Sequence, residues 1–157
     1  MSTKAGGRMK KRIIKTICAT ALACMTIILF TGAAESREAE DIRTLLQKRT
    51  FIMENVLFGR ITYEEGSRQL RKIETESMYQ KDMAALLDYK NTDLAAAERM
   101  DIISLTKKSE VYDRISYEAH IKWTESYGEG TETQVCLYEV GVKKNDGCLV
   151  LSAFDIR

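Results

Sequence analysis

Proline is absent from all 157 residues, and histidine and tryptophan occur once each. Without proline, internal repeats or low-complexity tracts, nothing marks a linker between domains. Only two of the four cysteines, Cys136 and Cys148, lie beyond residue 34, and His120 has no second histidine beside it. That leaves no ordinary ligand set for zinc or iron, and no metal or other cofactor is expected. The chain has no glycine-rich phosphate loop, no glycine-flanked nucleophilic serine and no metalloprotease helix. The acidic runs Glu38-Ala39-Glu40-Asp41 and Tyr63-Glu64-Glu65 lack the ligand spacing of a calcium loop and read as helix-start acids. No basic surface interleaved with aromatics is present, which excludes nucleic acid as the expected partner.

The formal charge of +1 hides two opposite pieces. Lys4, Arg8, Lys10, Lys11, Arg12 and Lys15 form a head with no acid. Everything from Glu35 onward carries all 23 acidic residues against 18 of the 24 basic ones. Between head and body, Thr16 to Ala34 contains no charge. At about 1.5 Å per helical residue that run spans roughly 28 Å, just enough for a ~30 Å hydrocarbon core. It reads as an export signal or a membrane anchor. Thr31-Gly32-Ala33-Ala34 offers small residues for cleavage after Ala33 or Ala34, and the alternative is a retained anchor. Either way the positive head stays inside and the body is displayed outside. Met9-Lys10-Lys11-Arg12 is itself a natural signal-peptide opening, and so an alternative start. A lipoprotein signal does not fit Ala21-Leu22-Ala23-Cys24, nor does a pilin-type cut fit Gly7 followed by Arg8; Cys18 and Cys24 read as small apolar residues.

From Ser36 the pattern becomes helical. Ile42, Leu45, Leu46, Ile52, Met53, Val56 and Leu57 make one apolar stripe, and Gly59 stands where a left-handed residue ends a helix. Thr62-x-x-Glu65 is a capping box for a second helix, which predicts a helical hairpin. That helix is expected from Tyr63 to about Tyr89, with Tyr63, Leu70, Ile73, Ala84 and Leu87 near one face that Gly66, Ser77 and Gln80 weaken. Asn91-Thr92-Asp93 is a break, the alanine-rich Leu94 to Met100 a further helical turn or two, and Asp101 to Thr106 a short strand.

Strand periodicity takes over at Glu110. Ile115, Tyr117, Ala119, Ile121 and Trp123 alternate with Arg114, Ser116, Glu118, His120, Lys122 and Thr124, so one face meets a core and the other water. His120 belongs to the wet face. Gly128-Glu129-Gly130 turns the chain into a strand with Cys136, Tyr138, Val140 and Val142 on one face, and Asn145-Asp146-Gly147 turns it again. Strict alternation makes the last strand, Cys148 to Ile156, apolar on both faces: Val150, Phe154 and Ile156 on one, Leu149, Leu151 and Ala153 on the other. A strand apolar on both faces needs two covers, the second being the helical hairpin or a partner subunit, and self-association or a protein partner is expected at Leu149 and Leu151. Cys136 and Cys148 sit at opposite ends of this hairpin, roughly 20–30 Å apart at ~3.3 Å per residue, and are expected to be free thiols.

The fold class is α+β: a signal or transmembrane helix over 1–34, then one exported domain over 35–157, a helical hairpin followed by an antiparallel meander of three to four strands. This order, with the closing strand Gly147-Cys148-Leu149-Val150-Leu151-Ser152-Ala153-Phe154, resembles the cystatin-like superfold, the group that includes the nuclear transport factor and steroid isomerase superfamily. The resemblance covers Ser36 to Arg157 and implies helices lying in the curl of the meander. It also implies a concave face able to hold a small ligand, with Asp113, Tyr117, Trp123 and Tyr138 as its polar and aromatic lining. The alternative is that the three aromatics are core residues with wet tips and Asp113 a strand-end residue. Three functions are in competition: a non-catalytic exported or anchored interaction module of the bacterial cell envelope, a small-ligand or enzymatic pocket domain, and a pseudopilin-like structural subunit.

Overall fold

The computed structural model describes residues 37–89, 96–127 and 130–157. The leader with Cys18 and Cys24, the break at Asn91-Thr92-Asp93 and the turn residues Gly128 and Glu129 lie outside them. No helix among the described residues is long and apolar enough to cross a membrane. Glu40–Arg157 forms one compact unit. It is α+β: helix α1 (37–57), α2 (Tyr63–Leu70) and α3 (Glu76–Tyr89) precede strands β1 (Ala96–Val111), β2 (Arg114–Tyr127), β3 (Gly130–Asn145) and β4 (Cys148–Ile156). The strands form a four-stranded antiparallel meander in sequence order.

The helical hairpin forms as its end signals require. Gly59 has φ of 64°, and Arg60 N–H and Gly59 N–H donate back to the carbonyls of Asn55 and Val56 at 2.8 and 3.1 Å. This is the paired arrangement that satisfies a helix C-terminus. Thr62 Oγ1 then accepts from Glu65 N–H at 3.1 Å, which starts α2. The return half of the capping box is not used, because the Glu65 carboxylate turns outward to Arg68 and Gln69. Gly66 is a point of close approach: a Cβ there would lie 2.2 Å from Val56 Cγ2 on α1.

The expected single helix from Tyr63 to Tyr89 is broken. At residues 71–75 the chain leaves α2 and bonds to β4, with Leu151 N–H donating to Ile73 C=O and Thr75 N–H donating to Leu151 C=O, both at 2.8 Å. Those backbone groups cannot serve a continuous helix and the sheet at once. The break resets the phase of α3, so its buried side is Met78, Tyr79, Asp82, Met83 and Leu86. Ala84 and Leu87, assigned to the apolar face by extending α2, are exposed.

The meander is longer than expected. The stretch from Ala96 to Thr106 is continuous β1, not helix followed by a short strand. Its register slips between Ala97 and Arg99, Ile102 and Ser104, and Lys107 and Ser109. Each slip inserts a residue and flips the alternation, so the core-facing positions Met100, Ile102 and Leu105 are unevenly spaced. The β1–β2 hairpin turns at Tyr112 and Asp113, with Tyr112 at φ of 56°. At the other end Asp146 (48°) and Gly147 (81°) form a two-residue turn with positive φ at both positions, which suits the twist of a hairpin.

The bulge in β4 changes the reading of the last strand. Gly141 pairs with Ala153 but Val142 pairs with Leu151, leaving Ser152 over. The extra residue moves Leu149, Leu151 and Phe154 onto one core face. Leu151 is fully buried, and Leu149 packs against the same cluster. The surplus apolar face inferred from strict alternation is therefore absorbed within one chain. Two apolar clusters result. One joins Ile42 and Leu46 of α1 to Ile115, Tyr117, Ala119, Ile121, Val140, Val142 and Leu151 of the sheet; the other joins Ile52 to Leu70, Ile73, Tyr79, Met83 and Leu86.

Substituting Gly66→Ala is expected to cost about 1–3 kcal/mol in chemical denaturation, the usual cost of overpacking. Adding Val56→Ala should recover part of that loss; a loss that Val56→Ala only deepens would show that the two helices do not meet there.

Candidate functional site

One position in the α1 stripe is not apolar. Arg49 follows Ile42 and Leu46 at helical spacing and precedes Ile52, so it points with them into the protein. Its guanidinium makes a two-pronged contact with Asp82 of α3, Nε to Oδ2 at 2.6 Å and Nη2 to Oδ1 at 2.7 Å. Nε also lies 3.7 Å from Glu74 Oε1 in the α2–α3 break. The side chains are 13, 3 and 0% exposed for Arg49, Asp82 and Glu74, so the three ionisable groups are largely removed from solvent. The guanidinium carbon stands 4.7 Å from the centroid of the Phe154 ring, within the range of a cation–π contact.

The aromatic side of the site continues from there. Phe154 stacks on Tyr138 at 4.4 Å and 13°, and Trp123 meets Tyr138 edge-on at 6.4 Å and 65°. Trp123 Nε1 donates to the Tyr138 hydroxyl at 3.0 Å, and burial pushes the Tyr138 phenol upward. The sequence candidates are therefore split. Trp123 and Tyr138 come together, with wet tips satisfied by one another. Tyr117 is 3% exposed within the sheet core. Asp113 sits on the β1–β2 turn, where its carboxylate pairs with Lys143 at 3.4 Å. Since Asp113 lies on the turn just before β2 and Trp123 is nine residues into the strand from Arg114, about 30 Å at ~3.3 Å per residue, they do not line one pocket. His120 is exposed, its Nδ1 2.9 Å from Ser104 Oγ. Cys136 and Cys148 are free thiols.

Arg49, Glu74 and Asp82 were missed because residue-by-residue reading treats charges as surface. The signal that could have found them is a charge inside an apolar stripe: Arg49 between Leu46 and Ile52, Asp82 between Tyr79 and Met83.

Electrostatics separates the two acids. Asp82 is held by both prongs of Arg49. Glu74 is pushed up to about 8, by burial first and by the charge of Asp82 second, with Arg49 opposing. As a carboxylate Glu74 has no hydrogen-bond donor on either oxygen, whereas the protonated carboxyl can donate to Asp82. One cation cannot neutralise two buried carboxylates, and protonating Glu74 removes the excess charge. Among the described residues no group of histidine, cysteine, aspartate and glutamate side chains could hold a metal ion.

A separate feature lies at the turn of the helical hairpin. Val56, Leu57, Gly59, Arg60, Ile61, Thr62, Tyr63 and Leu86 line an open cavity of about 390 Å³. Phe58 and Leu87, neighbours in the chain of its lining residues, are 43 and 56% exposed. Scanned against protein-family models and against curated proteins, the chain matches neither a family nor a relative.

Folding takes up a proton at Glu74 between its ordinary pKa of 4.5 and about 8. The stability this group contributes is thus full below about pH 4.5 and is lost as pH rises through 8, at a slope of at most about 1.4 kcal/mol per pH unit. Glu74→Gln should flatten the fall in Tm between pH 5 and 9 and make the variant the more stable form at the alkaline end. An unchanged slope would remove Glu74 as its source.

Proposed function

We propose that this chain is a non-catalytic interaction module of the bacterial cell envelope, displayed outside the cytoplasm by the Thr16–Ala34 segment as an anchor, or released after Ala33 or Ala34. On this reading the body is a cystatin-like domain used for binding, and a protein partner engages the helical hairpin.

The observation that carries the proposal is the open groove at the hairpin turn. Its walls are mainly apolar, contributed by Val56, Leu57, Ile61 and Leu86, and Arg60 is its only charged lining residue. Single exposed apolar side chains are ordinary, whereas an open apolar groove next in the chain to the exposed Phe58 and Leu87 has the composition of a contact surface. The charged cluster supports the same reading from the other side. Arg49 and Asp82 satisfy each other with little access to solvent, which suits holding helices to sheet better than handling a substrate.

The expected partner places an apolar side chain in the groove. A photo-crosslinking residue at position 58, in the full chain in its own cell envelope, should capture one protein that the same probe at the exposed His120 does not. Phe58→Ser, with the probe moved to position 87, should reduce that capture at least roughly ten-fold, the scale of a lost interface anchor, without moving Tm by more than a degree or two. Equal capture from positions 58 and 120 would contradict the proposal.

A further inference from the structure

The three strand edges of the sheet are treated differently. β1 is interrupted by its three register slips and carries Lys107 and Lys108 on this irregular stretch, which are the usual protections of an open edge. β4 is engaged on its outer side, where both backbone groups of Leu151 bond to Ile73 and Thr75. β3 is a central strand for only part of its length. It pairs with β2 along its whole run, Gly130 against Tyr127 to Lys143 against Arg114. β4 covers it only from Asn145 to Tyr138, and the last bond on that side is Arg157 N–H to Leu137 C=O at 2.9 Å.

Among the described residues nothing pairs with this side of residues 130–136 of β3, which form an edge whose residues are exposed from Gly130 to Val135. Because Leu137 directs its carbonyl toward the β4 side, the alternation of an antiparallel ladder sends the backbone groups of Val135, Thr133 and Thr131 to the same side. Those three are β-branched, and the only charge in the window is Glu132. It has neither bulge, lysine nor proline to discourage pairing.

We propose that the open edge of β3 pairs antiparallel with the same edge of a second copy of this chain, about a two-fold axis at Thr133, joining two four-stranded sheets into one of eight. The window itself selects this occupant. Its midpoint, Thr133, is a residue whose backbone faces outward, so the two-fold places a hydrogen-bonded Thr133–Thr133 pair at the centre. Thr131 then meets Val135 of the second copy on the same face, a β-branched pair. On the opposite face Glu132 meets Gln134 rather than another glutamate, so no like charges stand directly opposed. A register shifted by two residues toward the turn, centred on Glu132 through the same seven-residue window, would set the two glutamates against one another. Shifted the other way, the second copy's strand would run into Arg157, which occupies the position beside Leu137. The inference goes beyond the hairpin groove and does not depend on it, since the two surfaces involve different residues.

The test uses the full chain in detergent with Cys18, Cys24, Cys136 and Cys148 replaced by alanine, and then Thr133→Cys, Glu132→Cys or Gln134→Cys introduced singly. Across a hydrogen-bonded pair the Cα atoms stand ~5.5 Å apart, within disulfide reach, while two copies of residue 132 or of residue 134 are ~8 Å apart and beyond it. Mild oxidation should therefore link Thr133→Cys into dimers at least roughly ten-fold faster than either neighbour. Sedimentation velocity of the cysteine-free parent should show a dimer, and Thr133→Pro, which removes an outward N–H and leaves the β2 side untouched, should make it a monomer with an unchanged circular dichroism spectrum. A parent that is monomeric at roughly 100 µM, where even a weak specific dimer is populated, would overturn the proposal. So would equal cross-linking at the three positions.

Discussion

An arginine buried in the middle of an apolar helix face has to be neutralised where it stands, and the arrangement of this protein follows from how Arg49 is neutralised. Asp82 meets it from α3 with two short bonds, fixing the register of α3 against α1. For Asp82 to arrive there the helical phase must be reset after α2, and the reset is the segment 71–75 that bonds to Leu151 of β4. Phe154, three residues further along β4, covers the guanidinium. One ion pair thus links two helices, the break between helices and the edge of the sheet. Pairs of this kind stabilise little when compared with apolar replacements, but a single partner left alone is costly, so they specify an arrangement more than they strengthen it.

Glu74 is what that arrangement leaves over. The chain segment that reaches the sheet brings its carboxyl into a site where the one cation is already engaged, and burial and Asp82 together hold it protonated at neutral pH. A proton held at Glu74 makes the packing of the α2–α3 break against the sheet sensitive to alkaline pH. By contrast the outer sheet face is laced with exposed pairs such as Lys108–Glu118 and Arg157–Glu139, which solvent screens.

Local signals were legible in the sequence where chemistry is local. Gly59, Thr62 and Asp146-Gly147 determine backbone geometry within a few residues, and each turn or cap stands where its residues put it. The β2 face from Ile115 to Trp123 was equally readable because no bulge interrupts its pairing with β3. Legibility fails at slips in the ladder. Spacings of two and three along Met100, Ile102 and Leu105 match neither helix nor strand, and Ser152 turns one apolar face of β4 into an apparent two. The break after α2 was hidden for another reason: its cause is the backbone of Leu151, distant in sequence. The candidate site divides the same way, with Trp123 and Tyr138 found by alternation on the sheet and Arg49, Glu74 and Asp82 assembled only by the packing of separate elements.

The central claim is that Arg49 and Asp82 act as one architectural unit. A double-mutant cycle of Arg49→Met and Asp82→Leu, followed by urea denaturation at pH 6, measures it directly. Arg49→Met should cost about 3–5 kcal/mol, because it leaves Asp82 buried without its cation; Asp82→Leu should cost less, because Glu74, 3.7 Å from Arg49, can take its place, and the double variant should cost far less than the two together. Losses below about 1 kcal/mol that simply add, as for exposed ion pairs, would contradict the account and reduce the pair to a bystander of the fold.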